Sequence, residues 1–160
     1  MRRALPLAAS LVIAVMSCQS GADVDANDRA IAIYSAVIRT VATHDGRSAR
    51  NGPVFVLAAD ARAPISLEVQ AGIVEELHGF ATIRFADERG EATNDADPAK
   101  PVLDNGVLVT LGRIPPGARR VIVRAERYER TDVAVITYQV ALTQNHTGWK
   151  TVGAPTVPPS

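Results

Sequence analysis

A chain of 160 residues with 17 basic and 17 acidic side chains carries no formal net charge, and only 4% of its residues are aromatic. That balance gives no electrostatic hold on nucleic acid or on an acidic lipid surface, and it leaves few rings on which bases or sugars could stack. The single cysteine, Cys18, excludes a disulfide within the chain and any cluster of thiolate metal ligands.

In chain order, Arg2 and Arg3 come first, followed by an apolar run over residues 4–16 and then Ser17 and Cys18. The run is too short for the ~20 residues that span a bilayer, so it reads as a secretory signal and not as a permanent membrane helix. Val15-Met16-Ser17-Cys18 resembles the lipobox of bacterial lipoproteins, with Val15 and Ser17 at its outer positions and Cys18 at the modified residue. Met16 is bulkier than the residue usual there. The resemblance implies that the Cys18 thiol receives a diacylglycerol, that residues 1–17 are removed by cleavage between Ser17 and Cys18, and that Cys18 becomes the acylated first residue. It further implies a protein held outside the cytoplasm on the bacterial cell membrane, or on the outer membrane of a host with two. It carries no information on fold. Cleavage removes only Arg2 and Arg3 from the charged residues, leaving 15 basic and 17 acidic ones over 143 residues, enough for one core. One acyl chain binds only marginally, so stable anchoring calls for more than one.

Residues 18–25 read as a tether to a single domain over residues 26–153. A helix is expected after Asp25 or Asn27, with Ile31, Tyr34, Val37, Ile38 and Val41 forming one apolar stripe. Residues 53–57 are too short for a helix and rich in β-branched and aromatic side chains, which predicts a buried strand. A second helix is expected from Ser66, with Ile65, Val69, Ile73 and Leu77 on one face, Gly79 at its exit and Gly72 inside, where something packs closely. Alternation over residues 81–85 predicts a half-buried strand. Residues 87–105, with Gly90, Pro98 and Pro101, read as a solvated, mobile loop. Further strands are expected over residues 107–111, 121–126, 133–143 and 149–152, and residues 154–160 as a flexible tail. Short connections make the last four strands an antiparallel meander. The fold class is therefore α+β, with two helices packed on one face of a mainly antiparallel, curved sheet of about six strands. That order is similar to cystatin-like and NTF2-like cones.

Chemistry-bearing residues are sparse. Arg113, Arg119, Arg120, Arg124, Arg127 and Arg130 cluster in sequence. Arg120 and Arg124 fall on one strand face about 13 Å apart, where two guanidinium groups could hold a phosphate or carboxylate. Interleaved Glu126, Glu129 and Asp132 offer cross-strand pairing instead. Asp87, Glu88, Glu91, Asp95 and Asp97 could supply hard oxygen ligands, but without the spacing of an EF-hand loop. His44, His78 and His146 share no metal-ligand spacing, and no metal or cofactor is expected. Ser35, Ser48 and Ser66 sit in no nucleophile elbow, and adjacent Glu75 and Glu76 diverge on a helix. Gly106 and Gly112 belong to no phosphate-binding loop. Trp149 reads as core or sheet-edge packing, and Tyr128 and Tyr138 as hydroxyls that would line a cavity if the sheet curled. The expected role is a lipid-anchored, non-catalytic binding domain whose partner is an envelope protein or a small ligand, with no nucleic acid. The alternatives are a small-ligand cone, or an enzyme with catalytic residues scattered over the sheet.

Overall fold

The computed structural model describes residues 21–44, 52–94, 96–97, 101–117, 119–129 and 135–158. Cys18 and Ser17, with the rest of residues 1–20, lie outside the described residues, as do Ser48, Asp95, Arg130 and Asp132.

Helix α1 runs over Gly21–Thr43 and so begins inside the stretch expected to be a tether. No proline interrupts residues 21–43, and Asp25 and Asp28 lie in its early turns, where acidic side chains complement the positive end of the helix dipole. Its stripe buries Ile33, Val37, Ile38 and Val41 completely. Strand β1 (Val54–Ala58) follows, then α2 (Leu67–Glu76), β2 (Ile83–Phe85), β3 (Val107–Leu111), β4 (Arg120–Tyr128), β5 (Ile136–Asn145) and β6 (Gly148–Thr151). Ser66 caps α2, its Oγ accepting the Val69 N–H at 3.4 Å. Gly72 earns its place in α2, because a Cβ there would stand 2.3 Å from the Ile31 side chain where the two helices cross.

The sheet has the order β2-β1-β3-β4-β5-β6 and curls into a half-barrel with both helices on its concave face. β3 to β6 form the expected antiparallel meander. β1 is parallel to both β2 and β3, so the sheet is mixed. Parallel neighbours need crossovers of a dozen residues or more. α2 provides the first, over the concave face. Residues 86–106 link β2 to β3 as the second, and their described part lies over the opposite face, against β1 and β3. The two connections move in opposite directions on opposite faces and therefore share one hand, as the preference for right-handed crossovers requires.

That second crossover corrects the reading of residues 87–105 as a mobile excursion. Its described part packs Ala92 and Val102 on Phe55 and Leu108, a second small core on the convex face. Thr93 and Val102 bridge, and short 3₁₀ turns form at Arg89–Glu91 and Leu103–Asn105. Covering on both faces explains why β1 and β3 read VFVLA and VLVTL, without alternation. β4 is covered on one face only, and its Val121, Val123 and Ala125 alternate with exposed Arg120, Ile122 and Arg124.

The tail is also more ordered than expected. After β6, the Val152 N–H donates to Ala141 and Thr156 exchanges two main-chain hydrogen bonds with Gln139, of 2.8 and 3.1 Å. Pro155 and Pro158 then make this edge a poor template for a further strand.

Candidate functional site

The arginine cluster divides between the two faces of the sheet. Arg120 and Arg124 share the convex face, opposite Thr143 and Gln139 of β5. Exposed Ile122 lies between them, and the Arg124 guanidinium meets the Glu126 carboxylate at 3.1 Å. Lys150 pairs with Thr143 in register, so Arg120, Thr143 and Lys150 form one row across three strands. Arg113 reaches over to an ion pair with Asp60 in the loop after β1.

Arg127 occupies the opposite, helix-facing parity of β4 and is buried. One of its terminal nitrogens donates to the carbonyls of Val41 (3.3 Å) and His44 (2.9 Å), and the other to the Glu129 carboxylate at 2.7 Å. It thus satisfies carbonyls that the end of α1 leaves without helical partners, where the dipole also favours a cation. Arg127 belongs to the architecture, apart from the exposed pair Arg120 and Arg124.

Other residues singled out in the sequence are dispersed. His44 lies at the end of α1, its ring edge-on to Tyr138 at 5.1 Å. His78 follows α2, and His146 lies in the turn between β5 and β6. The Glu91 carboxylate accepts the Asp87 N–H at 3.0 Å. Among the described residues, no group of three or more His, Asp, Glu or Cys could hold a metal ion, and no helix is long and apolar enough to cross a membrane. Tyr138 is fully buried in the concave-face core, on which α1 and α2 pack. Tyr128 is on the convex face with Arg89 stacked 4.2 Å from its ring centre. Trp149 packs at the core margin under the Arg29 guanidinium. Tyr34 donates to the Gly112 carbonyl at 3.3 Å. Burial pushes its phenol pKa up, against a smaller opposing pull from the Ile114 backbone.

One cleft of about 680 Å³ lies between α1 and β6, beside Ile31, Ser35, Arg39 and Trp149, and two more lie along β2, at the edge of the sheet. A cleft of about 850 Å³ opens beside Pro53, Val74, His78, Phe80, Arg84 and Asp104. On its rim Arg84 and Asp104 form an ion pair of 2.5 Å. Asp104 (φ 55°) and Asn105 (φ 53°) both take the left-handed conformation, which is uncommon outside glycine. Gly52 allows that turn to come close, since a Cβ there would lie 2.4 Å from the Asn105 carbonyl oxygen. A second cleft of about 340 Å³ continues past the other end of β2, between Ile65 and Gln70 on one side and Phe85, Asp87 and Glu88 on the other. Leu67 and Val74 of α2 are exposed large apolar residues, at 77% and 44%. One sequence signal could have found this site: Leu67 and Val74 are seven residues apart and both fall off the Val69–Ile73–Leu77 stripe, marking a second apolar line on α2.

No protein-family model, curated protein or solved structure matches the chain.

Proposed function

We propose that this chain is a lipid-anchored, extracytoplasmic binding domain, tethered through Cys18 to the outer surface of a bacterial membrane and acting without catalysis. The observation that carries the reading is Val15-Met16-Ser17-Cys18 placed directly after a basic start and a short apolar run. With Cys18 acylated, the start of α1 at Gly21 sets the reach of the tether. Three residue steps at roughly 3.5 Å each hold the first turn of the domain within about 10 Å of the acylated residue. A tether this short confines the domain to the membrane surface and to partners found there. Binding suits the side chains around β2 better than catalysis does: Arg84 and Asp104 neutralise one another, and the smaller cleft is walled mainly by apolar residues.

Metabolic labelling of the host with an alkyne-bearing fatty acid tests the anchor. The wild-type chain is expected to take up label, and Cys18→Ser to lose it entirely. An unlabelled wild type, or label persisting in Cys18→Ser, would contradict the reading.

A further inference from the structure

We propose that the groove between α2 and the free edge of β2 receives an extended polypeptide segment, which adds to the sheet as a seventh, antiparallel strand. The inference rests on the reading of the chain as a binding domain and names the site and chemistry of its partner. Among the described residues β2 pairs only with β1. The Val54 N–H donates to Thr82 and the Ala86 N–H to Val56, so the main-chain groups of Thr82, Arg84 and Ala86 face β1. By the alternation of a ladder, the N–H and C=O groups of Ile83 and Phe85 face outward from the edge.

The wall above that edge is equally specific. Val69, Ile73 and Leu77 of the α2 segment face the core, and Gly72 faces α1. At 100° per residue, Leu67, Gln70 and Val74 project on the side away from α1, over β2. A strand added to β2 would send every second side chain toward exposed Leu67 and Val74 and cover them. Main-chain pairing from the edge and apolar contact from the helix are the two components of strand addition to a groove.

Antiparallel pairing is the more stable per residue, and charge then sets the sequence preferred in it. β2 runs toward Asp87 and Glu88, both exposed beside the smaller cleft. An antiparallel partner enters with its N-terminal end at those carboxylates, so a Lys or Arg belongs there. The three-residue length of β2 limits the added segment to about five or six residues and keeps the edge from templating open-ended aggregation.

The test is selection from a phage-displayed random octapeptide library on the full chain purified from membranes in detergent. Selected peptides are then synthesised with a fluorophore and their affinity measured by polarisation. Expected sequences alternate apolar residues behind an N-terminal Lys or Arg. N-methylation of an amide facing β2 is expected to weaken binding about tenfold, while methylation of the intervening, outward-facing amide costs less than about threefold. Val74→Glu is expected to weaken binding at least tenfold. Leu67→Glu, at a more exposed position, repeats the test should Val74→Glu prove poorly folded. Absence of enrichment, or affinities indifferent to both the N-methyl pattern and the two substitutions, would overturn the proposal. Selected peptides that compete with a second copy of the chain would overturn it in favour of self-association. Loss of the fatty-acid label would sink the anchor while leaving these affinities unchanged, so the two failures are distinguishable.

Discussion

Tyr138→Ala is expected to destabilise the domain by about 4 kcal/mol, whereas Tyr128→Ala costs about 1 kcal/mol. Both tyrosines lie on long strands, and parity alone separates them: Tyr138 shares its face with Val140 and Leu142, Tyr128 with Arg124 and Glu126. Among the described residues Tyr138 is the largest side chain buried completely, in the core on the α1 side, and its removal leaves a cavity that a close-packed interior closes only in part. Tyr128 is half-buried on the convex face, held by Arg89 and the small cluster around Phe55. Chemical denaturation of the two variants measures the difference. Equal losses would mean that the concave face is open and not filled by the helices.

Arg127→Ala is the second large effect, expected at about 3 kcal/mol. For a domain of this size that is a fall of roughly 10 °C in Tm. The guanidinium is 5% exposed, and deleting it strands the carbonyls of Val41 and His44 and the Glu129 carboxylate together. Arg127→Lys keeps the charge but cannot serve two directions with a rigid fork, and is expected to lose about half as much. Arg120→Ala, on the wet face of the same strand, should change stability by less than about 0.5 kcal/mol. Matching Tm values for the Arg127 and Arg120 variants would contradict the role assigned to Arg127.

These contrasts mark how far a linear reading reaches. Local period determines element type, so the stripe from Ile31 to Val41, the alternation over Val121, Val123 and Ala125, and the cap at Ser66 were all legible. Together they give two helices and six strands in the observed order. Neighbourhood in the sheet is non-local, and no period announces that β3 lies beside β1 in parallel. The indirect sign was there: β1 and β3 are apolar on both faces, which requires a cover on the convex side, and residues 86–106 were the stretch available to provide it. Acidic composition pointed the other way, because Ala92 and Val102 are few among the carboxylates that surround them. Arg127 was legible by parity alone, sharing its strand face with Val121, Val123 and Ala125. The groove along β2 needed the strand order, since an edge exists only once the neighbours are known.

The proposed anchor depends on chemistry at one atom and not on the fold, so one measurement bears on it most directly: mass spectrometry of the N-terminal peptide from the chain purified out of host membranes. The expected peptide starts at Cys18, with the thiol carrying the mass of a diacylglycerol. A peptide that starts at Met1, or a Cys18 with a free thiol, would contradict the account.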